Sequence, residues 1–428
     1  MSADLEVTAI EEYEAKTPLS RSYFDQFCRH LPGGETRSVT HYDPYPVVLA
    51  EGHGALVCDV DGNEYIDVLN NYTSLVHGHG FGPITEAVQA VLTGGTVFPA
   101  PHLGLLDLAS MLTGRYPAVG RVRFTNSGTE ASLLAVRIAR AATGRRRVVV
   151  FGGSYHGSIP EFLDGGGQAA SIPYNDYEKA ISAIDSSVAA VFAEPFLGSG
   201  GVIPAANGFL HAIEERAHAV GALFVLDEVQ SLRNALQGMH AELGLEPDLL
   251  VMGKIIGGGF PVGALGGEAS LLDLTSARAG GRLSHSGTFN GNVVTTRAGA
   301  ASLRALDEMA IAVLNHRARS LAVEIEARAR AVGVPASVTR AGSILHVHLA
   351  DQKPSTHEAA RSVPAAWSSQ LHLALLLEGV YAAPRGMLNL STVLDDDRLA
   401  QVASAYENAF ARILPFVKAD RPIDSPAR

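Results

Sequence analysis

Four short apolar runs, each closed off by glycine or polar residues, constrain this chain more than any other feature. They are Val148–Phe151 (VVVF), Ala189–Ala193 (AAVFA), Ala222–Leu226 (ALFVL) and Leu249–Met252 (LLVM). Runs of this kind, apolar at every position rather than at alternate ones, predict strands buried on both faces of a parallel sheet. Amphipathic stretches lie between them, such as Gly208–Val220. A further short strand, Arg121–Phe124, leads into a predicted helix over Thr129–Ala142, with Leu133, Leu134, Val136, Ile138 and Ala142 as its apolar face. Strand and helix in alternation define an α/β fold with a mainly parallel central sheet.

Around this core, residues 1–30 read as a polar, helix-prone arm, and Leu31–Val39 (LPGGETRSV) as a turn-rich entry. Ala55–Leu69 alternates about Asp61-Gly62 and predicts a hairpin. After Thr295 the pattern turns mainly helical, with a strand pair expected around Ser343–Leu349 and Val380–Leu390. A chain of 428 residues suits two or three domains. The division expected is an N-terminal segment, 1–60, joining the smaller domain; a large domain, 61–300; and a smaller α+β domain, 301–428.

The formal net charge of −11 argues against nucleic acid as a partner. No window is long and apolar enough for a membrane span, and the acidic N-terminus lacks the apolar core of a signal peptide. Cys28 and Cys58 are the only cysteines, which suits a reducing cytoplasm rather than a disulfide framework. No metal is expected: His77 and His79 have no further ligands nearby, and glycine-flanked histidines usually occupy turns.

Asp227 follows the run ALFVL, so it should project from the C-terminal edge of its strand, where open α/β sheets bind ligands. Taken singly, an Asp there is more often a cap or turn former. Lys254 ends the next run, one strand–helix–strand unit later, and should reach the same rim. The glycines after it keep bulk away. Ser127, Gly128 and Thr129, in NSGTEAS, sit where a strand enters a helix, and the free N–H groups of a first helical turn suit a phosphate. Alone, this segment would read as an ordinary N-cap. Tyr155 and His156, in SYHG, follow the run VVVF onto the same rim, where an aromatic ring can stack on a flat ligand. A phosphate cradle, an aromatic plate, a carboxylate and a lysine at one edge are the set that pyridoxal 5′-phosphate (PLP) needs. Its phosphate needs an anchor, its aldehyde an amine, and its pyridine nitrogen a carboxylate that favours the protonated form.

Seven ordered motifs then make the chain resemble the class III aminotransferases, PLP-dependent transferases of fold type I, over about Leu31–Leu390. They are LPGGETRSV, FTNSGTEASLLAVRIARAATGR, FGGSYHG, AEPF, FVLDEVQ, LLVMGKIIGGGFPVGALGG and SHSGTFNGN. The branch it looks like holds glutamate-1-semialdehyde aminomutases and β-amino-acid aminotransferases. The resemblance implies that Lys254 forms the Schiff base and that Asp227 partners the pyridinium. It implies that Ser127, Gly128 and Thr129 hold the phosphate, with Tyr155 stacked on the ring and His156 beside it. Val229 would pack on the ring, Gln230 would lie near its 3-hydroxyl, and Glu194 would be a supporting acid. Thr288 resembles a threonine that reaches the phosphate in the neighbouring subunit, which implies a homodimer with shared active sites. Two segments depart from the family pattern: GHGFGP (Gly78–Pro83), and SLRNALQG after DEVQ, where many members read Thr-Gly-Phe-Arg. The second departure lies on the substrate side.

Arg37 and Arg385 match positions that hold substrate carboxylates in β-amino-acid aminotransferases, a task that suits the guanidinium fork. Tyr72 is placed with them on the substrate side. The run Arg145–Arg147 sits at a helix end, where positive charge complements the dipole. The function expected is transfer of an amino group from a carboxylate-bearing, β-type amino acid to a 2-oxo acid. An aminomutase, a racemase or a decarboxylase on the same scaffold stays open. Retention of both Lys254 and Asp227 argues against a catalytically dead binding protein.

Overall fold

The structure is a computed structural model that describes residues 2–163 and 169–420. After two N-terminal helices, Ser2–Lys16 and Pro18–Phe27, comes a hairpin-rich segment: β1 (Leu49–His53), β2 (Leu56–Asp59) and β3 (Glu64–Asp67) pair antiparallel, with Gly62 at positive φ in the expected turn. Next come β4 (Arg121–Thr125), β5 (Arg147–Gly152), β6 (Ala169–Pro173) and β7 (Val188–Ala193). A short pair follows, β8 (Phe196–Leu197) with β9 (Ile203–Pro204), and then β10 (Leu223–Asp227), β11 (Leu249–Gly253) and β12 (Gly263–Gly267). The last strands are β13 (Ser337–Ala341), β14 (Ile344–His348), β15 (Val380–Tyr381) and β16 (Met387–Asn389).

Seven of these strands form the central sheet in the order β4-β12-β11-β10-β7-β5-β6. The pairs β11–β10, β10–β7, β7–β5 and β5–β6 are parallel, and β12 alone runs against the rest. All four apolar runs lie in this sheet and are covered on both faces. Val148, Val150, Val225 and Val251 pack with Ala131, Leu134, Val136 and Ile138 of the helix Gly128–Thr143. Their alternate neighbours Val149, Phe151, Phe224 and Leu226 pack on the other side with Leu108, Leu112, Phe209 and Ile213. Each such side chain contributes roughly 1.5–3 kcal/mol by burial. A strand slipped by one residue would exchange the two faces, so register is strongly held.

Two strands of this sheet were not legible in the sequence. β6 has no counterpart in the sequence reading, and Gly263–Gly267 (GALGG) appears there only within the glycine-rich stretch after Lys254 that keeps bulk away from it. The glycines of β12 answer to space rather than to flexibility. A Cβ on Gly263 would lie 2.0 Å from the Ser127 carbonyl oxygen, and one on Gly266 would lie 2.7 Å from the Val119 side chain. The turn that starts the helix Gly128–Thr143 therefore lies flat against β12.

The expected pairing of Ser343–Leu349 with Val380–Leu390 is half realised. β14 pairs antiparallel with β16 and with β13, but β15 leaves to join β3 in the first sheet, in parallel register Val380↔Ile66. Pro384 and Gly386 (φ 96°) separate the two halves, and a proline cannot donate to a ladder. The expected divisions at residues 60 and 300 fall in the β2–β3 turn and within the helix Val293–Ala305. Among the described residues no helix is long and apolar enough to cross a membrane. His77 bonds to Thr392 Oγ1 and the Ser302 carbonyl, and His79 to Asp67. Among the described residues, no group of three or more His, Cys, Asp or Glu could hold a metal ion.

Replacement of Gly263 tests the close approach of β12 to the helix start. Gly263→Ala should destabilise the protein by about 1–3 kcal/mol, as overpacking does, and lower its affinity for PLP through the displaced Ser127 turn. Denaturant midpoint and PLP retention on dialysis are the measurements; no change in either would show that β12 can move away freely.

Candidate active site

β10 and β11 are adjacent, parallel and in register, with Asp227 opposite Val251. Asp227 therefore ends its strand beside the point where Lys254 leaves the next one. Asp227 is buried, 6% exposed, and both of its oxygens are oriented: Oδ2 is 2.9 Å from His156 Nδ1, and Oδ1 accepts from the Val229 N–H at 3.0 Å. His156 Nε2 is buried and without a partner among the described residues. Lys254 has φ 50°, a left-handed conformation that lysine rarely adopts and that clusters at functional sites. Its amine has no hydrogen-bond or ion-pair partner among the described residues.

A cavity of about 480 Å³ opens at this edge. Ser127, Gly128, Thr129, Tyr155, His156, Glu194, Asp227, Val229, Gln230 and Lys254 all line it, together with Arg37 and Tyr72 from the N-terminal part of the chain. Ser127 does cap the helix, its hydroxyl oxygen accepting from the Glu130 N–H at 3.2 Å. The first intrahelical bond runs from the Ala131 N–H to the Ser127 carbonyl. The N–H groups of Gly128 and Thr129 precede it and have no acceptor within the helix. The bland reading and the phosphate reading of this segment are thus compatible: the cap leaves the hydroxyl hydrogen and two N–H groups to a ligand. Gly157 allows SYHG to close over them, since a Cβ there would meet Thr129 Oγ1 at 2.6 Å. Val229 lies against Gly128 and Gly253 across the cavity floor. Tyr155 stands half exposed at the mouth.

Burial controls the charges here. It pushes the Lys254 amine down from 10.5 to about 8; Asp227 and Glu194 oppose the shift, and Arg385 and Arg233 add to it. Burial likewise raises Glu194 well above the carboxylate range, with the neighbouring charge of Asp227 adding to the effect. Glu194 Oε2 and Gln230 Oε1 are buried without partners among the described residues.

On the opposite wall, Asn70, Asn71, Tyr72 and Thr73 form a run of four non-glycine residues at φ 48°, 46°, 54° and 79°. Such backbone costs L-residues roughly 1–2 kcal/mol each, less for Asn. The run presents the Tyr72 ring between two guanidiniums, with Arg37 Cζ 5.9 Å and Arg385 Cζ 5.6 Å from the ring centroid. Arg37 also donates to Asn71 Oδ1 at 2.9 Å, and the Tyr72 hydroxyl donates to the Val39 carbonyl. Arg385 itself lines a neighbouring cavity of about 470 Å³ rather than this one, and its Nε is buried and unpartnered. Neither arginine has a carboxylate partner among the described residues. Thr288 is exposed in a loop and does not reach the cavity of its own chain. Arg145 and Arg147 donate to the Val188 carbonyl and to Asp185, away from this edge.

Asn126 belongs to the NSGTEAS segment already singled out, but sequence reasoning missed Asn71 and the segment Phe260–Val262, which also line the cavity. Only the last had a usable signal, since it continues the glycine run after Lys254. The fit to PLP rests on the unpartnered groups: two free N–H donors, orphaned oxygens on Glu194 and Gln230, an oriented Asp227 and an unpaired amine around one space.

The sheet and this site define a PLP-dependent transferase of fold type I. The sequence model of the family "Aminotransferase class-III" matches residues 38–171 and 159–393. The beta-phenylalanine transaminase of Variovorax paradoxus is 36% identical over 95% of this chain and 96% of that protein. A glutamate-1-semialdehyde 2,1-aminomutase of Geobacillus kaustophilus is 32% identical over 92% of this chain and 98% of that protein. The crystal structure of a beta-phenylalanine aminotransferase from Variovorax paradoxus superposes with a TM-score of 0.91 at 34% identity, covering 97% of this chain and 99% of that one. The chain belongs to the class III aminotransferase family and is a PLP-dependent aminotransferase acting on small amino and keto acids.

The depressed amine generates a pH prediction. A lysine whose folded pKa lies near 8 rather than 10.5 is neutral above about pH 8 and protonated below it. Uptake of PLP by cofactor-free protein, fixed with borohydride and mapped to its peptide, should therefore rise with pH about a midpoint near 8 and fall on Lys254. A midpoint near 10 would contradict the desolvation of this amine. Label on Lys179, Lys353 or Lys418 would remove Lys254 from the site.

Proposed function

We propose that this aminotransferase takes its amino group from a carboxylate-bearing β-amino acid and passes it to a 2-oxo acid. The observation that carries this reading is the Tyr72 ring flanked by Arg37 and Arg385, two guanidiniums without carboxylate partners among the described residues, beside the Lys254 cavity. The amine-bearing carbon and the carboxylate lie farther apart in a β-amino acid than in a 2-oxo acid. Two cationic positions at different depths suit the two placements. The name of the Variovorax relative agrees with this substrate class.

When bound, PLP supplies an aldehyde for the amine and a ring that draws off the electrons left when a proton departs from the amine-bearing carbon. In our reading, Lys254 would hold the cofactor through its amine, and that amine, kept close to neutrality by burial, is placed to accept a proton from the amine-bearing carbon of a substrate and to return it. Asp227, oriented by His156 and the Val229 N–H, would accept from the pyridine nitrogen. Ser127, Gly128 and Thr129 would hold the phosphate, Tyr155 and Val229 would flank the ring, and Gln230 would meet its hydroxyl. Glu194, whose carboxyl burial pushes toward its neutral form, would be a supporting acid beside them. The aminomutase reading is favoured by the Geobacillus relative and differs in one respect: it requires no added 2-oxo acid.

We further propose a homodimer in which Thr288 contacts the phosphate bound in the other subunit. The loop carrying Thr288 exposes Phe289, and His102 Nε2 lies 2.8 Å from the Gly291 carbonyl at its base. Beside His102, Phe98, Leu103 and Leu106 are also exposed. Apolar surface flanking a loop in this way suits a subunit interface. The thiols of Cys28 and Cys58 are free, which fits a cytoplasmic protein.

Loss of a guanidinium paired with a buried carboxylate costs roughly 2–5 kcal/mol, about 30-fold or more in affinity. Arg37→Ala and Arg385→Ala should therefore impair different half-reactions, followed separately as single-turnover changes in the visible band. Equal loss of the same half-reaction by both would refute the two-position reading, and full turnover without any 2-oxo acid would favour the mutase. For the dimer, Thr288→Ala should weaken PLP retention. Mixed dimers of Thr288→Ala with Lys254→Ala subunits should contain one site damaged by both changes and one intact site. An active monomer at high dilution would overturn the arrangement.

A further inference from the structure

We propose that Arg233 is a positioning residue for carboxylate recognition: its buried guanidinium ties down the left-handed Asn70–Thr73 turn and so holds Tyr72 and Arg37 at the cavity. The proposal rests on the carboxylate reading above and goes beyond it, because Arg233 lines no part of that cavity.

Arg233 is fully buried, the largest side chain of the protein to be so among the described residues. It has no carboxylate partner among them. Its fork instead reaches three separate segments. Nε donates to Ser343 Oγ at 3.0 Å, Nη1 to the Thr73 carbonyl at 3.5 Å, and Nη2 to the Leu390 carbonyl. A cation buried among neutral acceptors is costly, and a neutral side chain would fill the same space at less expense. What the guanidinium offers is several donors in one rigid plane, enough to link three separate segments at once.

The turn needs such a tie. Its front is held by side chains: Asp67 Oδ1 accepts from the N–H groups of Leu69 and Asn70, each at 2.8 Å. Asn70 Nδ2 donates to the Asn389 carbonyl at 2.6 Å, and Asn389 Nδ2 donates to the Leu69 carbonyl at 2.9 Å. At its rear the Ser74 hydroxyl donates to the Asn71 carbonyl at 2.9 Å and the Leu75 N–H to the Asn70 carbonyl at 3.1 Å, both within the turn; the Thr73 hydroxyl is buried and unpartnered among the described residues, and the Thr73 carbonyl accepts from Arg233, which ties this end to a distant segment. Between front and rear lie Asn71, which accepts from Arg37, and Tyr72, which touches both arginines. Relaxation of Thr73 out of its left-handed conformation would move both.

Arg233 cannot follow such a movement. The next residue, Asn234, donates to the Ala341 carbonyl at 3.0 Å and accepts from the Ser343 N–H and hydroxyl. Gly342 is packed so closely on Asn234 that a Cβ there would lie 2.2 Å from it. The anchor is therefore rigid, and it follows directly from the strand end that carries Asp227.

The test compares Arg233→Met, Arg233→Lys and Arg37→Ala as PLP-loaded proteins. The probes are an aromatic β-amino acid and the matching amine without its carboxylate. KM and kcat are measured for each, or the Kd from the visible band where the amine is not turned over, along with the melting temperature. Arg233→Met should raise KM for the acid about 10-fold or more, leave its kcat within about 3-fold, and leave the amine unaffected. Arg233→Lys, keeping the charge but not the fork, should fall between. Should the methionine variant fail to fold, the lysine variant carries the same split. If the Arg233 variants lose only melting temperature while Arg37→Ala raises KM for the acid, Arg233 is structural and the proposal is overturned. If Arg37→Ala leaves that KM unchanged as well, the carboxylate reading itself has failed.

Discussion

The pairing of β10 with β11 places the two groups on which the site depends. Their residues are apolar on both faces, so hydrophobic burial holds the register from two sides, and Asp227 stays opposite Val251. Lys254 leaves β11 three residues beyond Val251, in a left-handed turn that swings it off the sheet line. The cradle of Ser127, Gly128 and Thr129 is brought to the same rim by β4, which reaches β11 through the glycine strand β12. A side chain at Gly263 would push that cradle away. The chemistry at the edge thus inherits its precision from packing in the sheet.

Electrostatics then acts on groups that cannot move far. Lys254 and Glu194 respond to burial in the way ionisable groups can, by favouring their neutral forms. Arg233 has much less freedom to do so: burial lowers it to about 9, which leaves it cationic at neutral pH. Arg37 and Arg385 add further positive charge without carboxylate partners among the described residues. A cation-rich wall inside a chain of net charge −11 is a local arrangement suited to anionic substrates, whatever the overall surface.

Legibility in the sequence followed the range of the interactions. The four apolar runs, the strand before NSGTEAS and the hairpin at Asp61-Gly62 were readable because burial on both faces, or alternation about a turn, leaves its mark on consecutive residues. Ser127, Asp227 and Lys254 were readable because each ends such an element. β12 was hidden because its glycines answer to the Ser127 turn and to Val119, neither of which is near it in sequence. The exchange of β15 into the sheet of β3 was hidden for the same reason.

By itself the sequence determined the strands that are buried on both faces, the hairpin and the residues at their ends, because there periodicity, glycine and proline act locally; it did not determine β6 or β12. The meeting of Arg37, Tyr72 and Arg385 around one ring was a tertiary decision, as was the tie from Arg233 to Thr73. Those side chains come from separate segments of the chain, and no local preference encodes their distance. Only the packing of the N-terminal hairpins, the loop after Asp227 and the strands near the C-terminus against one another sets it.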